Sequence, residues 1–294
     1  MPLDKLYRGR TWNQLLYDNG ITHEQSFYNV ELSRAVYRKW LATDSYTYLG
    51  FIENLAKNKF LLNVAEMSPV ERKRLLMFYY DVFETAGHFQ SLQDMANALS
   101  TDHIFCEELE EVMQLLLKDN KAYEKADNSR LLNFPLKLHG VYTKAQIQVA
   151  IGTSTLSKKS SAREGVERNK DTNVEAMFVD IIKNREEGST TDYDDKALSP
   201  VLFQWDTQNR VRPESNEGQA YINETQTMLL FVREQKNFVE DKTRTMGYVY
   251  LGRVTLNAWE YKNLGTRRQM QIRWNMIEPI PASVMHYARM REVI

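Results

Sequence analysis

The chain has 294 residues, of which 43% are hydrophobic and 26% are charged. This balance is that of a folded globular protein and excludes an intrinsically disordered chain. The formal net charge is −1, which excludes an overall field that attracts nucleic acid or an anionic membrane. A nucleic-acid surface therefore has to be a local patch.

No apolar run approaches the ~20 residues of a membrane-spanning helix, and the N-terminus lacks the pattern of a signal peptide. The single cysteine, Cys106, excludes an internal disulfide and fits a reducing compartment. We therefore expect a cytoplasmic protein without a membrane partner.

Helical signals dominate the first half of the chain. Apolar residues at every fourth position predict an amphipathic helix over 30–41. Residues 68–71 (Ser-Pro-Val-Glu) form a capping box with proline at the first helical position, which predicts a helix that ends at Gly87. Further helices are predicted near 12–16 and over 48–62, 91–99 and 102–117. We expect residues 1–130 to be a helical bundle region that links domains or pairs protomers, which leaves a homodimer open.

The helices predicted over 91–99 and 102–117 are joined by a short polar turn, as in a helix-turn-helix. The second of them carries four glutamates between residues 107 and 111. Because a recognition helix faces DNA phosphates, an acidic helix is unsuited to that role. We interpret the pair as a packing or docking element.

A polar stretch over 118–133 indicates a boundary, and we assign the second domain to residues 131–294. Residues 143–146 form another capping box, which opens a short helix that Gly152 ends. The segment 154–170 is rich in serine, lysine and arginine. It has two interpretations, a mobile loop that contacts phosphates or a solvated surface loop.

Strand-like runs follow at 175–183, 200–206, 227–235, 248–256 and 270–277. In the last run, Ile272, Trp274 and Met276 alternate with polar residues, which predicts one buried and one polar face. Helices followed by strands indicate an α+β fold. We expect the N-terminal helical region to be followed by a small mixed β-sheet or a partly closed barrel.

The segment 193–210 combines an acidic, aromatic loop with a predicted strand. On that strand Phe203 and Trp205 share one face, and Gln204 and Asp206 share the other. Aromatic planes beside amides and carboxylates suit a pocket for a flat polar ligand such as a nucleobase. The same residues suit an ordinary strand end, so the composition of this segment leaves both interpretations open.

Signals for catalysis and metal binding are weak. The sequence has no phosphate-binding Walker loop and no Gly-x-Ser-x-Gly elbow, and His103 and Cys106 lack two further zinc ligands. Glu214, Glu234 and Lys236 have the residue types of a metal-dependent nuclease, although a solvated strand end has the same pattern. The aspartates at 192, 194 and 195 fit either a metal site or a turn. We expect no catalytic residue and no metal in this chain.

A set of ordered motifs resembles a known family. They are residues 142–147 (YTKAQI), 163–166 (REGV), 193–195 (YDD), 202–209 (LFQWDTQN), 230–234 (LFVRE), 250–253 (YLGR), 272–274 (IRW) and 279–281 (PIP). Together they resemble the domain-of-unknown-function family at the C-terminal end of fusions between a phospholipase D-type nuclease and a superfamily II helicase. Residues 12–16 and 134–136 resemble the region that precedes it, so the resemblance covers nearly the whole chain.

The resemblance implies the target-recognition module of an ATP-dependent, type IV restriction enzyme of phage defence. Such a module would have a fold similar to the SET-and-RING-associated (SRA) or PUA-like domains. It would bind double-stranded DNA that contains 5-methylcytosine or 5-hydroxymethylcytosine by base flipping. The nuclease and helicase domains would lie in the same protein and use ATP and Mg²⁺, whereas this chain would need no cofactor.

Within the matched motifs and the basic segment, the chemistry of a flipped base suggests site residues. The expected pocket residues are Tyr193, Asp194, Asp195, Phe203, Trp205 and Asp206. The expected phosphate contacts are Lys158, Lys159, Arg163 and Arg210. The chain departs from the family pattern at Gln204 and at Asp206-Thr207, where typical members have a histidine and a serine, and this puts the preferred modification in doubt. Two rival functions are a nuclease that uses Glu214, Glu234 and Lys236, and a dimerisation module that does not read DNA.

Overall fold

The structure, a computed structural model, describes residues 2–162, 165–183, 193–209, 211–264 and 267–289. The chain forms two compact units. The helical unit comprises residues 1–125 and 131–161, and the sheet unit comprises residues 126–130 and 162–294. Among the described residues, no helix is both long enough and apolar enough to span a membrane.

The helical unit is built from short and medium-length helices. They are α1 (Leu3–Leu6), α2 (Trp12–Asp18), α3 (Asn29–Arg38), α4 (Tyr46–Lys57), α5 (Pro69–Phe83), α6 (Leu92–Ser100), α7 (His103–Lys118) and α8 (Lys144–Ala150), with a 3-10 turn over Trp40–Ala42 and a short strand β1 (Val141–Tyr142). Both predicted capping boxes are present, at Ser68 and at Thr143. The helices expected from periodicity are therefore present, because local caps and an apolar face specify them. The end predicted for the helix after Ser68 is wrong, since α5 ends at Phe83 and not at Gly87.

Large aromatic side chains fill the core of the helical unit. Trp40 stacks on Phe78 with ring centroids 6.0 Å apart, and Phe60 lies 5.3 Å from Phe78 and 6.3 Å from Phe105. All four side chains are buried. Aromatic rings of this size bury a large apolar area each, so they supply much of the stability of the unit.

In its described residues, the sheet unit contains a mixed sheet and two short helices. They are β2 (Val166–Asn169), β3 (Val174–Ile182), β4 (Lys196–Ser199), β5 (Leu202–Asp206), α9 (Asn216–Ile222), β6 (Thr227–Gln235), β7 (Tyr248–Leu264), β8 (Arg267–Met276) and α10 (Ala282–Ala288). The strand order is β2-β3-β6-β7-β8-β5-β4. The pair β3 and β6 is parallel, and the other neighbouring pairs in this order are antiparallel. The fold is α+β, as predicted, and the sheet is open across the described residues.

Helix α9 packs closely against the chain that precedes it. A Cβ atom at Gly218 would lie 2.0 Å from the carbonyl oxygen of Arg212, so only glycine allows this approach. The helix places Tyr221 against the core, where its hydroxyl donates to the buried Glu175 at 2.6 Å.

Some elements differ from the sequence prediction. Strand β2 lies within the segment 154–170 that was expected to be a loop, because its pairing with β3 determines its conformation. Strand β7 continues to Leu264, beyond the expected end at residue 256. Strand β4 and helices α9 and α10 were not predicted. The predicted division at residue 130 also differs from the extent of the compact units, since residues 131–161 belong to the helical unit.

Candidate functional site

Strand β5 separates an apolar face from a polar face. Phe203 and Trp205 are buried in the hydrophobic core of the sheet unit. The Trp205 ring makes an edge-on contact with Tyr221, with centroids 5.6 Å apart, and it also contacts Trp274. The two side chains share a face, as strand alternation predicts. That face is the core, however, so neither ring is presented to a ligand as the predicted stacking role requires.

On the opposite face, Asp206 is bound from two sides. Its Oδ1 accepts a hydrogen bond of 2.9 Å from the side-chain amide of Gln271 on β8, its partner in the register of β5 and β8. Its Oδ2 accepts a 2.7 Å bond from the backbone N–H of Asp194. Asp206 therefore fastens the segment before β4 to the polar face of the sheet.

Asp195 makes a second connection between the segment before β4 and strand β5. Its Oδ1 accepts the backbone N–H of Asp206 at 2.8 Å, and its Oδ2 lies 2.7 Å from the ammonium of Lys183. Burial raises the pKa of Asp195, and the charge of Lys183 opposes this rise. Lys183 also lies over the Tyr193 ring, 4.5 Å from its centroid. The pair joins the end of β3 to the segment before β4.

Asp194 is the part of this arrangement that is open to solvent, with 42% of its side chain exposed. Its carboxylate accepts a 2.9 Å bond from the side-chain amide of Gln204 and lies 3.1 Å from the ammonium of Lys196. We name Asp194, Asp195, Gln204, Asp206 and Gln271 the polar cluster. Tyr193 precedes it directly and is partly buried, and burial raises the pKa of its hydroxyl.

The chemistry of the polar cluster is that of a hydrogen-bonding surface. Asp194 offers an accessible carboxylate acceptor, Lys196 offers a donor, and Tyr193 offers an aromatic ring. The described residues contain no group of three or more histidine, cysteine, aspartate or glutamate side chains that could hold a metal ion. The arrangement is therefore suited to recognising a polar ligand.

Two of the four predicted phosphate contacts lie outside the sheet unit that carries the polar cluster. Lys158 and Lys159 belong to the helical unit, where the Lys159 ammonium donates to the backbone oxygen of Glu84 at 2.5 Å. Arg163 and Arg210 lie outside the described residues, as does the aspartate at 192.

The residues of the rival nuclease do not form a recognisable site. Glu214 precedes α9, whose Tyr221 contacts Glu175. Glu175 pairs with the beginning of β6, whereas Glu234 lies near the end of that strand. Met228, the partner of Glu175, lies six strand positions before Glu234, which corresponds to roughly 20 Å. Helix α9 is thus anchored at the end of β6 opposite to Glu234.

Sequence reasoning missed Lys183 and Gln271 as site residues. The alternation of β8 did predict that Gln271 lies on the polar face, but its contact with Asp206 depends on the register of two strands far apart in sequence. The sequence predicts Lys183 only as the last residue of a strand. An aspartate run that follows a strand-end lysine is the one signal in the sequence that points to their pairing.

A family model described as domain of unknown function (DUF3427) matches residues 136–288, which is more than half of the chain. The match includes the whole polar cluster. A search of curated proteins finds no match for this chain.

Two solved structures show low similarity. One is the crystal structure of the SUVH5 SRA domain in complex with hemi-methylated CG DNA, with a TM-score of 0.27 and 13% identity over 40% of this chain and 79% of that chain. The other is Arabidopsis thaliana SUVH6 in complex with SAM, with a TM-score of 0.35 and 9% identity over 87% of this chain and 41% of that chain. Because both TM-scores are low, neither similarity establishes a shared fold or function.

Proposed function

The chain belongs to the family described as domain of unknown function (DUF3427), and we propose that its sheet unit binds DNA that contains a modified cytosine. The observation that supports this proposal is the polar cluster beside Tyr193, with one accessible carboxylate among buried, hydrogen-bonded polar groups. Fixed polar groups of this kind give orientation and specificity to a binding site.

The chemistry of cytosine matches the exposed part of the cluster. Its exocyclic amino group is a donor, which the Asp194 carboxylate accepts. Its ring is flat and a 5-methyl group is apolar, and both suit contact with the Tyr193 ring. Lys196 supplies a positive charge beside them for a carbonyl or phosphate oxygen. Phe203 and Trp205 act behind this surface as the core that supports β5.

The resemblance in the sequence motifs supports a more specific role. In that role the base is flipped out of the duplex, and the modification is 5-methylcytosine or 5-hydroxymethylcytosine. The chain then serves as the recognition part of an ATP-dependent, type IV restriction enzyme whose nuclease and helicase domains lie in the same protein. Pairing of protomers through the helical unit stays a prediction.

Binding titrations with three matched duplexes test the proposal. The duplexes carry unmodified cytosine, 5-methylcytosine or 5-hydroxymethylcytosine at one position. We expect the native chain to prefer a modified duplex and Asp194→Asn to lose about tenfold in affinity for it, since a base contact contributes roughly 1–3 kcal/mol. Tyr193→Ala should lose a similar amount through stacking.

Asp171→Asn is the matched control, because it removes an exposed carboxylate from the same unit in the turn between β2 and β3. It should bind all three duplexes as the native chain does. Equal affinity of the native chain for the three duplexes would exclude the proposed function. Equal losses in Asp171→Asn and Asp194→Asn would show that the polar cluster is not the reading site.

A further inference from the structure

The helical unit carries a concentrated positive surface. Its cationic side chains come from the end of α3 and from the segment after α8. We name these five residues the basic patch: Arg34, Arg38, Lys39, Lys158 and Lys159. Arg38, Lys158 and Lys159 are exposed, and the side chains of Arg34 and Lys39 are 31% and 19% exposed.

One carboxylate contacts two of these cations and does not neutralise the patch. Glu84, directly after α5, lies 3.2 Å from the Arg34 guanidinium and 3.1 Å from the Lys39 ammonium. Lys159 bonds to the backbone oxygen of the same residue. These five cations and the Glu84 carboxylate sum to +4, and the carboxyl of Asp81, on which the charge of Lys39 also acts, lowers this to +3 when it is ionised. The formal net charge of the whole chain is −1.

The like charges of the patch repel one another. Partial burial lowers the pKa of Lys159, and the nearby charge of Lys39 lowers it further. Burial raises the pKa of Glu84, but Lys39, Arg34 and Arg38 outweigh this and hold it below its ordinary value. A bound anion would relieve this repulsion, because opposite charges at contact distance favour the charged forms of the lysines.

The segment that carries Lys158 and Lys159 is held firmly against α5. The Tyr80 hydroxyl donates to the backbone oxygen of Thr155 at 2.5 Å, and the Gly87 N–H donates to that of Leu156 at 3.0 Å. The Lys159 contact with Glu84 is the third attachment. A surface fixed in this way loses little conformational entropy when it binds.

We propose that the basic patch binds the phosphates of the DNA backbone. The identity of the ligand rests on the proposed function, and the residues of α3 are contacts in addition to Lys158 and Lys159 within the same unit. The patch supplies affinity without sequence information, since phosphate contacts position a protein on a duplex and do not read bases.

Salt-dependent binding of an unmodified duplex to the full chain tests this proposal. The test variant is Arg38→Gln with Lys158→Gln, two exposed residues without direct contacts to Glu84. Each phosphate contact contributes about 0.9 to the slope of log K against log salt concentration. We therefore expect the slope of the double variant to be less steep by about 1.8, with an unchanged circular dichroism spectrum.

The matched control is Lys57→Gln with Lys118→Gln, which removes two exposed lysines from the last turns of α4 and α7 in the same unit. Its slope should equal that of the native chain. An unchanged slope in the test variant, or an equal change in the control, would contradict the proposal that the basic patch binds phosphates.

The ratio of affinities for modified and unmodified duplexes separates the two proposals. A less steep slope with an unchanged preference for the modified duplex supports both the patch and the reading site. A less steep slope in a chain that never distinguishes the duplexes supports the patch and excludes modified-base reading.

Discussion

Asp81 is a fully buried carboxylate in the last turn of α5. Its Oδ2 accepts hydrogen bonds from the Trp40 indole at 2.9 Å, the Tyr48 hydroxyl at 2.8 Å and the Gln146 amide at 2.8 Å. These donors come from the 3-10 turn, α4 and α8, so one side chain joins four parts of the helical unit. Burial raises the pKa of Asp81 to about 6, although the three hydrogen bonds and Lys39 oppose the rise.

This residue predicts how the stability of the helical unit depends on pH. In the unfolded chain the carboxyl ionises near pH ~4, whereas in the folded chain it keeps its proton up to about pH 6. Folding therefore takes up a proton between these values, and stability falls as pH rises through that window. The difference between these two pKa values corresponds to roughly 3 kcal/mol of stability.

Asp81→Asn should remove this pH-dependent part of the stability, because the amide stays neutral at every pH in this window. Urea unfolding followed by far-UV circular dichroism at several pH values measures it as the difference between the native chain and the variant. Asp18→Asn, at an exposed aspartate of α2, should follow the native profile. Parallel profiles of the native chain and Asp81→Asn would contradict the prediction.

At the scale of single elements, the packing of β5 predicts the effect of changing Trp205. Its ring is 4% exposed and lies among core residues that include Tyr221 and Trp274. Trp205→Ala should destabilise the sheet unit by about 3–5 kcal/mol, since it leaves a large cavity. Thermal unfolding measures this loss, and Val201→Ala, at a side chain that is 52% exposed, should change stability by less than about 0.5 kcal/mol.

This variant also separates the core role of Trp205 from a role in binding. A core residue loses DNA affinity only as far as the fold is lost. If Trp205→Ala unfolds at the native temperature and yet no longer distinguishes the modified duplex, the ring contacts the base and its packed position here is not the one that it adopts with DNA.

The elements that the sequence predicted well are those specified locally. The capping boxes at residues 68–71 and 143–146 contain both partners of their hydrogen bonds within four residues. Strand alternation likewise assigned Phe203 and Trp205 to one face. Strand β2 was missed because its sequence, Val-Glu-Arg-Asn, has little strand propensity and forms a strand through its pairing with β3.

The candidate site likewise has residues that the local sequence predicts and residues that depend on strand pairing. Asp194, Asp195 and Asp206 were found from their residue types, and the structure brings them together. Their partners Lys183 and Gln271 lie 12 and 65 positions away from Asp195 and Asp206. Such contacts depend on which strands pair and in which register, and neither follows from local pattern.

At the scale of the whole molecule, the chain passes between the two units more than once. Residues 126–130 belong to the sheet unit, but residues 131–161 return to the helical unit. In the helical unit, Gln146 donates to Asp81 and Arg74 donates to the Pro135 carbonyl. A single domain boundary cannot describe the chain, because α8 belongs to the helical unit although it follows residues 126–130, which belong to the sheet unit.

Residues 126–130, the short segment that belongs to the sheet unit, make two hydrogen bonds with β7. The carboxylate of Asp127 accepts the Tyr250 hydroxyl at 2.8 Å, and the side-chain oxygen of Asn128 accepts the Arg253 N–H at 2.9 Å. Tyr250 is fully buried, so loss of its acceptor should cost about 1–3 kcal/mol. The cost should fall on the sheet unit, although the residue that changes lies between two helical segments of the sequence.

Hydrogen exchange on the full chain tests this assignment with Asp127→Ala. We expect the protection of amides in β6 and β7 to fall by about 1–3 kcal/mol in opening free energy, and that of α4 and α7 to stay as in the native chain. Asp119→Ala, at an exposed aspartate just after α7, should leave β6 and β7 unchanged. Faster exchange confined to α4 and α7 would mean that residues 126–130 stabilise the helical unit, because local opening reports the unit to which a contact contributes.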